Sequence, residues 1–273
     1  MASIELDNVT FSYRGSEGEP LFADFSLNIA SGEWVVVVGP SGAGKTTLLK
    51  LMKGLLRPEA GKIRVNGSTL APGELNRFAA CVFANPENQI VSPIVYEDVV
   101  FGLENMGFSP DTISSRVEET LRGVGLWERA KDFSHHLSGG EQQRLILAGA
   151  LALQEECLLL DDPLSMVDRS GRSRMLGLLK RIHQGESCTL VHATHLLEET
   201  LVAERLIALE GGRLLFDGPP RNFLHEKPLI ERLGLEVPII VELAETVGAS
   251  GAARAEDVET LDQLFALLTG LEC

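Results

Sequence analysis

The sequence predicts an α/β fold built around a buried strand that leads through a glycine-rich turn into a helix. Residues 34–38 form an uninterrupted apolar run, as expected for a strand buried on both faces of a sheet. Residues 46–55 follow the turn with the apolar content of a helix that ends at Gly54. Two further apolar runs, at 157–162 and 188–195, end in polar residues and predict more buried strands.

Composition and charge describe an acidic globular protein. The chain has 273 residues, 44% of them hydrophobic and 23% charged, which is enough for one large domain or one domain with an extension. The formal net charge of −15 argues against nucleic acid as a partner and against direct adsorption to anionic lipid, because both attract cations. We therefore expect contact with a membrane only through another protein.

Targeting signals and cysteine usage predict a cytosolic protein. Apolar runs stay well below the roughly 18 residues that a membrane-spanning helix needs. Residues 1–5 lack the basic and apolar regions of a signal peptide. The cysteines are scattered without a C-x-x-C pair, which indicates a reducing compartment and no disulfide framework; they are Cys81, Cys157, Cys188 and Cys273.

Alternation and turn residues predict the remaining strands. Segments 3–11 and 21–30 largely alternate between apolar and polar residues, and a polar loop separates them. A short strand at 61–67 closes on an Asn-Gly turn. Further short strands are expected at 81–83, 204–209 and 213–217.

Helical patterns predict one insertion and one tail. Polar helical segments begin near residue 90 and end in a strong helix at 145–153, which predicts a helical subdomain over about 90–153 within a domain of residues 1–225. Residues 226–273 are expected to form a helical extension. Its last part has an apolar stripe on one helical face, formed by Val258, Leu261, Phe265 and Leu268.

The glycine-rich turn at 39–46 matches the phosphate-loop pattern G-x-x-x-x-G-K-[ST]. Its glycines let successive N–H groups point into one concavity, and the following helix adds the positive end of its dipole. Lys45 is thereby placed against the β- and γ-phosphates of a nucleotide, and the Thr46 hydroxyl against Mg²⁺. A chance match is the alternative. The residues expected to hold the nucleotide are Gly39, Pro40, Ser41, Gly42, Ala43, Gly44, Lys45, Thr46 and Thr47.

Polar residues at the ends of two buried strands are candidates for the same site. Asp161 suits Mg²⁺ coordination and Asp162 suits polarisation of an attacking water, although acids also cap turns after strands. His195 is placed to hydrogen-bond a γ-phosphate. A metal site formed with His192 is not expected, because no Cys or acid cluster joins the two histidines.

Two more motifs have both a functional and a structural explanation. Tyr13 either offers a flat face to a purine or caps the end of a strand. Ser138, Gly139 and Gly140 open a helix, so they form either a second anion-binding turn or an ordinary N-cap.

In their order along the chain, these motifs resemble those of the ATP-binding subunit of an ABC transporter. The series consists of the phosphate loop, L-S-G-G-E-Q at 137–142, the strand and acids at 157–162, S-x-x-D at 165–168 and Thr194-His195. It covers about residues 3–225. The resemblance implies a phosphate-loop ATPase core with an antiparallel β subdomain and a helical subdomain.

The resemblance also implies roles for single residues. Asp161 would order Mg²⁺, His195 would contact the γ-phosphate, and Tyr13 would stack on adenine. Two subunits of this family dock head to tail, so that Ser138, Gly139 and Gly140 of one close over the ATP held by the other. Asp168 would lie at the seam between the subunits.

Finer features resemble the energy-coupling-factor class, which drives the uptake of vitamins or of cobalt and nickel ions. These features are 85–91, 97–105, the pair Gly171-Arg172 after 165–168, and the helical tail. The implied partners are a second ATPase subunit, a transmembrane coupling protein and a substrate-binding membrane protein, at the cytoplasmic face of the membrane. Segment 84–105 would form the groove for the coupling protein's helices.

Two positions depart from the family pattern. Ala84 stands where the family usually has a glutamine, and Asp162 replaces a catalytic glutamate and is one methylene shorter. Gln89 is a candidate substitute for the missing glutamine. Two hypotheses follow: an ATPase that drives import, or a subunit that holds ATP but hydrolyses it poorly while its partner turns over. A non-transport protein of translation or DNA repair is disfavoured, because the chain lacks a second ATPase domain and a long coiled coil.

Overall fold

Two sheets and seven α-helices make up the described part of the chain. The computed structural model describes residues 2–15, 18–186, 188–239 and 241. The strands are β1 (Ile4–Phe11), β2 (Phe22–Ile29), β3 (Trp34–Val38), β4 (Ala60–Val65), β5 (Ser68–Thr69), β6 (Ala79–Val82), β7 (Cys157–Asp161), β8 (Thr189–Ala193), β9 (Arg205–Glu210) and β10 (Arg213–Gly218). The helices are α1 (Lys45–Lys53), α2 (Val95–Asn105), α3 (Pro110–Gly123), α4 (Gly139–Ala152), α5 (Arg169–Glu186), α6 (Pro220–Leu224) and α7 (Lys227–Arg232).

The larger sheet places the functional strands side by side. Its order is β10-β9-β3-β8-β7-β6, in which all neighbours are parallel except the antiparallel pair β9–β10. Because parallel strands end at the same edge, the loop after β3 and the polar ends of β7 and β8 meet there. The predicted α/β class is confirmed.

The smaller sheet is antiparallel, in the order β2-β1-β4-β5. It confirms the alternating segments predicted at 3–11 and 21–30. The expected Asn-Gly turn joins β4 to β5, with positive φ at both Asn66 (51°) and Gly67 (75°), as a two-residue hairpin of this kind requires.

Strand β3 lies between two apolar cores. Val35 and Val37 face a core formed with the smaller sheet and α1, whereas Trp34, Val36 and Val38 face a core formed with the helices of the other side. This alternation follows from the period of two along a strand. It explains why the whole run is apolar.

Helices α2, α3 and α4 pack on one another, as expected of the helical insertion. In α3 the buried residues Ile113, Val117 and Leu121 repeat every four positions and face this packing. The domain boundary near 225 stays a prediction, and the stripe 258–268 lies outside the described residues. Among the described helices, none combines the length and apolarity needed to cross a bilayer.

Candidate active site

The phosphate loop turns tightly because its glycines approach neighbouring backbone. A Cβ on Gly39 would lie 2.2 Å from the carbonyl oxygen of Leu209 in β9, and φ at that glycine is 153°. Gly44 is the N-cap of α1 in the left-handed region, with φ of 106°. Only glycine tolerates both requirements. The loop therefore connects the end of β3 directly to the N-terminus of α1, as the motif predicts.

Lys45 spans the base of this loop. Its Nζ donates hydrogen bonds to the carbonyl oxygens of Gly39, at 2.6 Å, and Pro40, at 3.1 Å. Burial lowers the pKa of Lys45, and the negative charges of Asp162 and Asp161 oppose that shift. The ammonium group is therefore held in a partly desolvated position beside the loop, where an anion would bind it strongly.

Thr46 and Asp161 form a pair that joins α1 to the end of β7. The Thr46 hydroxyl donates a hydrogen bond of 2.7 Å to Oδ2 of Asp161, although the residues are 115 positions apart. Asp161 is 3% exposed, and burial raises the pKa of its carboxyl group against the opposing Thr46 hydrogen bond. A buried carboxylate beside a hydroxyl fits Mg²⁺, because this ion prefers oxygen ligands and keeps other positions for water and phosphate.

Asp162 and His195 bring the ends of β7 and β8 together. Nδ1 of His195 lies 3.0 Å from Oδ1 of Asp162, and both side chains reach solvent. The Asp162 backbone has φ of 46° in the left-handed region, and its N–H donates to the carbonyl of Ala193. The sharp turn after Asp161 thus directs the second carboxyl group towards the mouth of the site.

Tyr13 combines features of both explanations offered for it. Its hydroxyl lies 2.8 Å from Oγ1 of Thr47, and its ring meets Phe11 edge-on at a centroid distance of 5.0 Å. The side chain is 47% exposed. It lines a cavity of about 480 Å³, together with Glu19, Leu21, Ser41, Gly42, Ala43, Gly44, Lys45, Thr46, Thr47 and Asp162. Tyr13 and residues 41–47 of the phosphate loop therefore line the same cavity.

Ser138 is the N-cap of α4 in a complete capping box. Its Oγ accepts from the N–H of Glu141, and a Glu141 carboxylate oxygen accepts from the N–H of Ser138. Burial acts to raise the pKa of Glu141, but hydrogen bonds from Arg129 and Ser138 outweigh it and lower that pKa to about 2. The structural explanation therefore holds for Ser138.

The two glycines after Ser138 allow α4 to pack closely on the segment that follows β7. A Cβ on Gly140 would lie 2.7 Å from the carbonyl oxygen of Met166, and one on Gly139 would lie 3.1 Å from the Met166 sulfur. Ser138, Gly139 and Gly140 are absent from the described linings of the two cavities beside the phosphate loop. Within one chain, the structure does not bring them to that loop.

Gln89 lies away from this group. Its Oε1 accepts from the N–H of Phe83 at 2.7 Å, and its Nε2 donates to the carbonyl of Cys81 at 3.2 Å. Both ends of the amide are thus bound to backbone at β6. The structure does not bring Gln89 together with Asp162 and His195.

Sequence reasoning missed Gln143. This buried side chain accepts a hydrogen bond from the N–H of Met166 at 2.9 Å and donates to Oγ of Ser165 at 3.0 Å. It therefore fastens α4 to the segment that follows Asp162. The available signal was an amide near the start of a helix, two positions before its apolar run, and a buried amide needs hydrogen-bond partners.

Comparisons with known proteins agree with this geometry. The family model for ABC transporters matches residues 22–165. The energy-coupling factor transporter ATP-binding protein EcfA1 of Clostridium novyi is 38% identical over 98% of each chain. The EcfA1 protein of Listeria innocua is 37% identical over 97% of each chain.

Solved structures show the same fold. The chain of cbiO1 from Clostridium perfringens, described as part of the ABC transporter complex cbiONQ, is 29% identical with a TM-score of 0.72, over 89% of this chain and 98% of that one. A dimeric ATP-binding cassette in a post-hydrolysis state, bound to ADP and Pi, is 28% identical with a TM-score of 0.73, over 80% of this chain and 98% of that one.

The fold and the phosphate-loop site define an ABC-type ATPase, and the chain belongs to the ABC transporter family of ATP-binding proteins. Within this family it belongs with the ATP-binding proteins of energy-coupling factor transporters, as the full-length similarity shows. Its family binds ATP.

The raised pKa of Asp161 generates a prediction. A carboxyl group whose pKa is higher in the folded chain destabilises that chain above the folded pKa, and the penalty vanishes below the ordinary value of 3.8. Asp161→Asn should therefore raise the thermal stability of the nucleotide-free chain at pH 7, while Mg²⁺-dependent ATP affinity falls at least about tenfold. Calorimetry of unfolding and of binding measures both, with the exposed Asp24→Asn as control. Lower stability in Asp161→Asn would contradict the assignment.

Proposed function

We propose that this chain binds MgATP on its phosphate loop and hydrolyses it within a head-to-tail pair of ATPase subunits. The hydrolysis powers an importer of the energy-coupling-factor type, for vitamins or for cobalt or nickel ions. The observation that carries the proposal is the Thr46–Asp161 hydrogen bond of 2.7 Å beside the base of the loop that Lys45 spans. Membership in the family supports it.

The side chains divide the work at the site. Lys45 exchanges its bonds to the Gly39 and Pro40 carbonyls for oxygens of the β- and γ-phosphates. Thr46 and Asp161 hold Mg²⁺, which neutralises charge on the phosphates. Tyr13 stacks on adenine with its exposed face, while its hydroxyl stays on Thr47.

Asp162 and His195 act at the γ-phosphate. Asp162 accepts a proton from the attacking water, and His195, oriented by the contact of its Nδ1 with that carboxylate, uses Nε2 to hydrogen-bond the phosphate. The N-terminus of α4 completes the other subunit's site. Gly139 and Gly140 present the first N–H groups of that helix to the γ-phosphate held by the partner, Ser138 lies beside them as the N-cap, and Asp168 lies at the seam.

Removal of one charge tests nucleotide binding. Lys45→Ala should lower ATP affinity at least about a hundredfold, because a charge-assisted contact to phosphate is lost in a partly desolvated site. Titration calorimetry with MgATP measures the change, and Lys62→Ala, at an exposed residue of β4, is the matched control. Equal affinities for the two variants would refute the site.

A groove beside β6 is an observation in favour of a membrane-embedded partner. It encloses about 1010 Å³ between β6, α2 and α4, and apolar residues line much of it. Several of these are large and about half exposed, namely Leu55, Leu75, Val91, Phe101 and Met106. Exposed apolar area of this kind marks interaction surfaces. The proposed occupant is a helix of the transmembrane coupling protein, which also carries the substrate-binding membrane protein.

Recruitment to membranes tests the groove. Phe101→Asp should abolish co-sedimentation with vesicles that contain the coupling protein, because a carboxylate would be buried without a partner. Leu214→Asp, at a 40% exposed apolar residue of β10, should leave recruitment unchanged. Wild-type binding to protein-free liposomes would contradict recruitment through a protein.

Three observations favour a second description of this subunit, in which its own site holds ATP and hydrolyses it slowly. The methyl group of Ala84 cannot hydrogen-bond an attacking water, and the Asp162 side chain is one methylene shorter than a glutamate. Gln89 is occupied by the backbone of β6. An error of about 1 Å in a water-positioning group costs roughly a hundredfold in rate. The partner's site, completed by Ser138, Gly139 and Gly140, would then supply most of the turnover.

Matched variants distinguish the two sites. In a heteromeric assembly, Gly140→Asp should reduce ATP turnover at least about tenfold more than Asp162→Asn, because an anion would face the partner's γ-phosphate. Gly140→Ala is the control, since any Cβ there meets the Met166 carbonyl at 2.7 Å. Turnover at saturating ATP decides. Loss of all turnover in Asp162→Asn, with little effect of Gly140→Asp, would place hydrolysis in this chain's own site.

A further inference from the structure

A buried charged cluster lies behind the active site and takes no part in the proposed hydrolysis. Glu199, in the 3₁₀ helix Leu197–Val202, is only 1% exposed. Its Oε1 lies 3.3 Å from Nε of Arg172, and its Oε2 lies 3.1 Å from Nε2 of the fully buried His192. A carboxylate this deep is costly unless it is paired on both sides. The cluster therefore needs an explanation.

The surroundings of Glu199 favour its ionised form. Burial is the largest influence and acts to raise the pKa of Glu199. Contact with His192, a hydrogen bond from Thr194 and the charge of Arg172 together outweigh burial, so the pKa is lowered. The carboxylate thus holds one group from α5 and two groups from the end of β8.

The cluster joins the two segments that carry the catalytic groups. Arg172 lies in the first turn of α5, directly after the segment that follows β7, and its side-chain Nη2 donates to the carbonyl of Val167 in that segment at 3.5 Å. Glu199 belongs to the segment after β8, which begins at Thr194 and includes His195. Asp162 and Asp168 thus lie on one side of the cluster, and His195 on the other.

We propose that Glu199 is a positioning residue, which with Arg172 and His192 clamps segment 162–172 to segment 192–199. The clamp fixes the Asp162–His195 pair and sets Asp168 relative to the γ-phosphate. A displacement of Asp168 at the subunit seam is thereby transmitted to Asp162 and His195 through the buried cluster, and not through the nucleotide. The inference rests on the proposed function, because only in the ATPase pair does Asp168 face a second site.

Hydrogen exchange of the full chain tests the clamp without requiring activity. In Glu199→Gln, amides of 163–172 and 194–199 should exchange at least about tenfold faster, whereas those of α1 keep their protection. Glu33→Gln is the matched control. Glu33 pairs with Arg205 at 3.2 Å near the start of β3, at the end of the strands opposite to the active site. Unchanged exchange in both segments, or a loss spread equally over the chain, would overturn the proposal.

Kinetics of the assembled ATPase pair provides the second measurement. Glu199→Gln should lower ATP turnover at least about tenfold while the KM for ATP stays within about threefold, because the phosphate loop is untouched. If Glu199→Gln fails to fold, the triple variant Arg172→Met, His192→Leu, Glu199→Leu replaces the charges with apolar groups and should fold with the same loss. Wild-type turnover in either folded variant would refute the clamp. Absence of turnover in the wild-type pair would instead refute the proposed function, and hydrogen exchange would still decide on the clamp.

Discussion

The burial of β3 on both faces is the constraint on which the site depends. Its alternate residues face two different cores, so the strand has no freedom to shift or tilt without opening one of them. The phosphate loop begins at the end of this strand and passes against the backbone of β9. The carbonyl oxygen of Leu209 leaves no room there for a side chain at Gly39. The N–H groups of the loop are thus mounted on a strand that is buried on both faces.

The burial of charged groups at the carboxyl ends of the parallel strands lowers the stability of the folded chain. Lys45 and Asp161 are both partly desolvated, and burial shifts the pKa of each towards the neutral form. Each group is hydrogen-bonded within the protein, and together they suit a ligand that carries both anionic oxygens and a cation. The same electrostatic logic explains why Asp162 stays near solvent, since a second buried carboxylate beside Asp161 would be costly.

The helical insertion contributes a surface directed away from this chain's own loop. Helix α4 begins in a capping box, and Gln143 and the close contact at Gly140 fasten it to the segment that follows β7. Any displacement of α4 therefore reaches the segment that carries Asp162 and Asp168. The apolar groove beside α2 lies on the other side of the same helices, so a partner bound there would act on α4 through packed contacts.

The sequence by itself determined the features that depend on neighbouring residues. The strand, loop and helix at 34–53, the alternating strands of the smaller sheet and the Asn-Gly turn follow from local periodicity and from the backbone freedom of glycine and asparagine. The conformation of the phosphate loop was predictable for the same reason, because its geometry is set within nine consecutive positions. The tertiary structure decided what depends on residues far apart in the chain. It bound Gln89 to β6 away from the site, assigned Gln143 to the segment after Asp162, and joined Arg172, His192 and Glu199 in one buried cluster. No local pattern specifies such partners, because a buried polar group is satisfied by whichever element the fold brings within hydrogen-bond distance.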